Sequence, residues 1–184
     1  GLAALLGLQP GETVYAPLPL YHGESLFVGF APAFRSGGAF ASRRAFSASA
    51  FLDDVRRHEA VAFVYVGELC RYLLRQPPSP QDRAHTLRVA AGAGLRADVW
   101  RAFQERFGNP RIIEMYGATE GNVALQNLDG PVGSVGKPHV EGQVELARYD
   151  HARGELARDA GGFCIRCEPE EPGELLGRIA PRGG

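Results

Sequence analysis

Lysine is almost missing from this chain: Lys137 is the single lysine among 20 basic residues. Net charge is missing too, since 20 basic residues face 21 acidic ones for a formal charge of −1. That balance excludes binding to nucleic acid through bulk electrostatics. No apolar run approaches the roughly 20 residues of a membrane-spanning helix. The nearest, Leu26 to Phe34, is short and is interrupted by Gly29 and Pro32. The opening Gly1-Leu2-Ala3-Ala4-Leu5-Leu6 lacks the basic flank of a secretory signal. Three cysteines cannot build an even disulfide framework and fit a reducing, cytoplasmic setting. Cys164-Ile165-Arg166-Cys167 has C-x-x-C spacing. No second ligand pair is placed to complete a zinc site, and a redox motif would open a helix, whereas this one sits in a strand-like, glycine-bounded stretch. The two thiols read as reduced and structural. The absent initiator methionine and the solitary lysine together suggest an internal piece of a longer protein.

What is present is an ordinary globular composition, 45% hydrophobic and 22% charged over 184 residues, enough for one large domain or one domain and part of another. The pattern alternates strands and helices from 13 to 116. Thr13–Ala16 reads as a buried strand, Glu24–Phe34 as a helix and Ala39–Ser42 as a short strand. Ser47–His58 reads as a helix capped by Ser47 or Ser49. The continuous apolar run Ala60–Val66 predicts a strand buried on both faces. Gly67–Gln76 is a helix with Leu69, Tyr72 and Leu73 on one side, and Leu87–Ala91 the next strand. Ala97–Phe107 is the clearest helix, with Val99, Trp100, Phe103 and Phe107 inward and Gly108-Asn109-Pro110 as its stop. Arg111–Tyr116 is the following strand. This order implies an α/β fold: a parallel or mixed sheet with flanking helices and right-handed crossovers. From about residue 125 short runs such as Gln143–Tyr149, Phe163–Arg166 and Glu174–Ile179 read as small strands and turns. The expected organisation is an α/β part over 1–125 and the start of a β-rich subdomain over 126–184.

Two segments carry chemistry. In Met115-Tyr116-Gly117-Ala118-Thr119-Glu120-Gly121-Asn122 a strand ends in a ring, a flexible glycine, a hydroxyl and a carboxylate. Tyr116 can stack on a base, Gly117 lets the chain turn, Thr119 can donate to a phosphate oxygen, and Glu120 can hold a divalent cation bridging phosphates. Open α/β sheets bind ligands at this carboxyl edge. Upstream, Gly92-Ala93-Gly94-Leu95-Arg96-Ala97 fits G-x-G-x-x-A between a strand and a helix, with Glu114 20 residues beyond Gly94. That is the spacing of a dinucleotide-binding fingerprint. The fingerprint usually sits on the first strand of its domain, whereas several strand–helix units precede this one.

Tyr116-Gly-Ala-Thr-Glu120 resembles the central adenylate-binding motif of AMP-forming acyl-CoA synthetases. The longer string to Asn122, followed by Val132-Gly133-Ser134-Val135-Gly136, is similar to the branch of very-long-chain acyl-CoA synthetases and fatty acid transport proteins. Leu18-Pro19-Leu20-Tyr21-His22-Gly23 and Tyr65-Val66-Gly67-Glu68-Leu69-Cys70-Arg71-Tyr72-Leu73 agree with that branch, in the right order. The resemblance implies a fragment of a larger adenylate-forming fold. It implies ATP, Mg²⁺ and coenzyme A as the small molecules used with a fatty acid. Thr119 and Glu120 would be catalytic, with Glu120 the metal ligand. Gly92, Ala93 and Gly94 would line the adenine face opposite Tyr116 and Gly117. His22 would lie near the acyl carboxylate, and Gly67, Glu68 and Tyr72 would border the acyl pocket. The family's upstream phosphate-gripping loop with its lysine, its ribose-binding aspartate and its C-terminal domain find no match here, so the fragment is expected to be inactive alone. Peripheral membrane association of the parent stays open. So do three other readings: a ligase for another carboxylate such as a small hydroxy or bile-type acid, an NAD-binding domain using Gly92–Ala97, and a non-catalytic acyl- or nucleotide-binding module.

Overall fold

A computed structural model describes residues 1–179. The chain divides into two compact units, Gly1–Tyr116 with Gln126–Gly136, and Gly117–Leu125 with the residues from Lys137 onward. Residues 126–136, expected to open the β-rich part, therefore group with the α/β unit, and residues 180–184 of that expected part lie outside the described residues.

The first unit is built on parallel strands β1 (Thr13–Tyr15), β2 (Ala39–Ala41), β3 (Ala60–Val66), β4 (Val89–Ala93) and β5 (Arg111–Gly117), in the order β2-β1-β3-β4-β5. The next strand, β6 (Ala124–Asn127), follows β5 in that order. Each crossover carries helix: α1 (Leu2–Leu5) precedes the sheet, α2 (Ala31–Arg35) links β1 to β2, α3 (Phe51–Arg57) links β2 to β3, α4 (Gly67–Leu74) links β3 to β4, and α5 (Ala97–Arg106) links β4 to β5.

The central strand explains the layers. Residues 60–65 of β3 are all buried, as a strand covered on both faces must be. Phe63 meets Phe51 of α3 at 4.8 Å between ring centroids and Phe103 of α5 at 6.3 Å. Its neighbour Val64 points the other way, because side chains alternate along a strand. A Cβ at Gly29 would lie 3.1 Å from Ala16 Cβ and 3.6 Å from Val64 Cγ2, so the segment around Gly29 covers that second face at close range.

Three local expectations are corrected. Glu24–Phe34 is helical, but Glu24–Phe30 is a π-helix that runs into α2. Pro32 has no N–H to return to the carbonyl of Val28, which favours the wider turn. Neither Ser47 nor Ser49 caps α3: the N-cap is Ala50 without a side-chain bond, and the two serine hydroxyls lie 3.2 Å from each other. Asp53 and Asp54 supply the favourable negative charge in its first turn instead. Finally β4 spans 89–93, two residues later than expected, so Gly92 and Ala93 are strand residues and only Gly94 begins the loop.

The second unit contains short pairs. β8 (Val144–Ala147) pairs antiparallel with β11 (Glu174–Gly177), and β9 (Tyr149–Asp150) with β10 (Glu155–Leu156). Lys137–Pro138 forms the two-residue β7. Phe163–Arg166, expected as a strand, makes only isolated bridges, Arg158 with Cys164 and Ala147 with Arg166. Cys164 and Cys167 are free thiols in this non-helical stretch, and Cys70 is free and buried in the first unit.

Candidate functional site

At the carboxyl edge of the first unit's sheet, β3, β4 and β5 lie in register, with Tyr65 beside Gly92 and Gly92 beside Glu114. Gly92 is there because nothing larger fits: a Cβ would come within 2.0 Å of the Tyr65 carbonyl oxygen. Gly67, the first residue of α4, is equally constrained, since its Cβ would lie 1.9 Å from the carbonyl oxygen of Gly94. Gly94 itself turns the chain at φ +81°, a conformation glycine adopts without steric cost. Two loop backbones therefore touch at this edge, where side chains would have held them apart.

A buried carboxylate ties the loop down. Glu114, only 2% exposed, accepts a hydrogen bond from the Tyr65 hydroxyl at 2.6 Å and one from the Leu95 N–H at 2.9 Å. Each oxygen takes one donor, as burial of such a group requires. Burial raises its pKa against the opposing effect of these bonds, and burial beside Glu114 raises that of the Tyr65 hydroxyl. The Glu114 carboxylate is thus spent within the fold. In the dinucleotide reading the same acid would face a ribose, whereas here it is buried with a donor from within the fold on each oxygen. Sequence reasoning placed Glu114 near a strand end and named no partner for it. The signal was present: an acid at the centre of Ile112-Ile113-Glu114-Met115 must be buried, and a buried acid needs donors.

One residue beyond the Ala93–Met115 pair, Tyr116 is 50% exposed at the end of β5. Its ring is available to a ligand at the edge where Gly94 turns. His22 lies exposed just before the π-helix, its Nδ1 2.7 Å from Glu24 Oε2. The Glu24 backbone N–H also donates to this nitrogen, at 3.4 Å. Along α4, Gly67 is buried, while Glu68 is exposed and its carboxylate is clasped by the Arg71 guanidinium, which holds it below the usual carboxylate range. Tyr72 is 40% exposed and stacks on Phe46, with ring centroids 6.5 Å apart. Phe46 was not singled out by sequence, because it sits in a loop with no periodic pattern to mark it.

In the second unit Thr119 and Glu120 are exposed in a turn that follows Gly117 and is closed by the Gly121 N–H on the Ala118 carbonyl at 3.1 Å. Asn122 anchors the end of this turn: its side chain donates to the Arg178 carbonyl at 3.0 Å, and its own carbonyl accepts from Gln143 Nε2 at 3.1 Å. Among the described residues no three His, Cys, Asp or Glu side chains cluster to hold a metal. A lone exposed carboxylate such as Glu120 fits magnesium that arrives with a nucleotide, since that ion is commonly held by one or two carboxylates together with substrate phosphates.

Residues 2–178 match the family of AMP-binding enzymes. Among relatives, rat long-chain fatty acid transport protein 2 is 41% identical over 97% of this chain and 29% of its own length. The medium/long-chain-fatty-acid–CoA ligase FadD6 of Mycobacterium tuberculosis is 43% identical over 95% of this chain and 29% of its own. The ATP-bound structure of MatB from Rhodopseudomonas palustris superposes with a TM-score of 0.67 at 26% identity, over 85% of this chain and 31% of that one. The chain thus spans less than a third of each of these three proteins. The sheet edge, the exposed Tyr116 and these likenesses converge: the chain belongs to the AMP-binding enzyme family.

Proposed function

We propose that this chain is the central part of the adenylating domain of an ATP-dependent ligase joining a long- or very-long-chain fatty acid to coenzyme A. The observation that carries the reading is the carboxyl edge of the parallel sheet. Tyr116 lies exposed there, beside a loop whose backbone is locked by Gly67, Gly92 and Glu114. A rigid backbone ledge and a free ring suit a flat base, with Gly92, Ala93 and Gly94 on one side and Tyr116 on the other. The relatives' names support the acyl class.

In the proposed reaction a carboxylate oxygen attacks the α-phosphorus of ATP, a new P–O bond forms, and the bond to pyrophosphate breaks. The thiol of coenzyme A then attacks the acyl carbon and AMP leaves. Both partners in the first step are anions, so charge must be neutralised where it develops. Glu120 would hold the magnesium that supplies this neutralisation, and Thr119 would orient a phosphate oxygen. His22, steadied by Glu24, would sit near the acyl carboxylate. Gly67, Glu68 and Tyr72 would border the acyl chain, with Phe46 extending the Tyr72 wall. The remaining phosphate and ribose contacts, and the second domain, would come from the longer protein, working in the cytoplasm or against a membrane surface.

The test is Glu120→Gln in the full-length protein, which removes charge while keeping shape. Carboxylate-dependent pyrophosphate exchange is expected to fall by about a hundredfold or more, the scale for losing one preorganised electrostatic contact. Exchange near the wild-type rate refutes the metal-holding role. A panel of fatty, hydroxy and bile-type acids in the same assay identifies the carboxylate class.

A further inference from the structure

Among the buried ionisable groups that the proposed chemistry leaves unused is Glu114. We infer that Glu114 is a positioning residue: by bridging the Tyr65 hydroxyl of β3 and the Leu95 N–H after β4, it sets the height of the Gly92–Gly94 ledge on which an adenine would rest. The inference depends on the adenylating reading above for the identity of the ligand, and on geometry alone for the tether.

Three observations converge on it. The carboxylate reaches across the strand order, from β5 to a donor on β3 and a donor beyond β4, at 2.6 and 2.9 Å. Its backbone is in register with Gly92, so the bridge starts directly beside the residue that it steadies. Gly92 and Ala93 are held in the sheet between β3 and β5, but the turn that continues the ledge at Gly94 has no side chain to hold it. Gly92 is kept bare by the Tyr65 carbonyl, and Gly94 is turned at φ +81°. Glycine backbone is free to move unless something else fixes it. Leu95, whose side chain is 4% exposed, anchors the ledge in the core, and Glu114 holds its N–H. A buried acid within a fold normally costs stability unless it is fully bonded. Here each of its two oxygens has a donor, from the residues that flank the ledge.

Length, rather than charge, is what such a tether needs. Glu114→Gln keeps the reach: its amide oxygen can accept from Leu95 N–H while its NH₂ donates to the Tyr65 oxygen. Glu114→Asp keeps the charge but withdraws the carboxylate by one methylene, so both donors cannot be met. In the full-length protein, Glu114→Asp is expected to raise the ATP dissociation constant and the ATP KM at least about fivefold, leaving the KM for the carboxylic acid within about twofold. Glu114→Gln is expected to remain within about twofold of wild type for all three. Equilibrium ATP binding is measured alongside turnover, so that a wild-type protein without carboxylate-dependent pyrophosphate release overturns the ligase reading while the tether is still read from ATP affinity. The inference is overturned if Gln is impaired and Asp is not, if both KM values rise together in Glu114→Asp, or if Asp binds ATP as wild type does. A variant that does not fold is replaced by Tyr65→Phe, which removes one of the two donors and is expected to weaken ATP binding without changing the acid's KM. An unchanged ATP affinity in Tyr65→Phe also counts against the tether.

Discussion

Tyr116 illustrates how far a single residue can be read. It is an aromatic side chain that the fold does not bury, 50% exposed at a strand end in a chain whose Tyr15 and Tyr65 are fully buried. Burying a tyrosine ring is favourable, so an exposed one at a sheet's carboxyl edge is available for a ligand. Tyr116→Ala is expected to weaken ATP binding by about 1–3 kcal/mol, the worth of a base–aromatic stack. Tyr116→Phe is expected to be nearly silent, because the ring does the stacking. Titration of both variants with ATP checks this, and a Phe variant as weak as the Ala variant would assign the contact to the hydroxyl. Glu114 shows the opposite case. Its position near the end of a strand, twenty residues after Gly94, was legible, but its partners, Tyr65 and Leu95, were not. Spacing along a chain says where an acid falls in a strand. It does not say which donors the neighbouring strands bring to it.

At the scale of elements, the strands and helices of the first unit follow from hydrophobic pattern and from stop signals such as Gly108-Asn109-Pro110. β3 appears as Ala60–Val66 in sequence and structure alike, because an unbroken apolar run leaves a buried strand no other register. The π-helix over Glu24–Phe30 was not legible: whether a turn widens depends on what lies against Gly29 and on the N–H that Pro32 lacks. The junctions of β3 with α4 and β4 with α5 depend on two glycines for different reasons, and this gives a ranked prediction. Gly94→Ala makes only an ordinary contact, 4.0 Å from the Gly67 nitrogen, but must hold φ +81°, a cost of roughly 1–2 kcal/mol. Gly67→Ala drives a Cβ to within 1.9 Å of a carbonyl oxygen that cannot rotate away, so it should cost about 3 kcal/mol or more. Denaturant midpoints of the two variants in the full-length protein test the order, and Gly94→Ala proving the worse would show that the two loops separate easily.

For the whole molecule, the exposed aromatic surface is the telling quantity. In the first unit Tyr21 is 91% exposed, Phe34 77% and Phe27 51%, and Phe34 stacks on Phe30 at 6.1 Å. Exposed aromatic side chains in such number, two of them stacked, point to an interaction face or an aggregation hazard. Residues 1–184 produced alone are therefore expected to bind a hydrophobic dye and to self-associate, and to form no acyl-AMP from ATP, Mg²⁺ and a long-chain acid. A monodisperse, dye-negative chain that makes acyl-AMP at the rate of the full-length protein would refute this. What the sequence by itself determined was the α/β class, the run of buried strands and the family, because apolar periodicity and short motifs are local properties. Only the tertiary structure decided that Gly92 belongs to a strand, that Glu114 is spent on Tyr65 and Leu95, and that residues 126–136 group with the first unit rather than with the β-rich one. Each of these depends on a close approach between segments distant in the chain, and no local pattern encodes the atom on the other side of a contact.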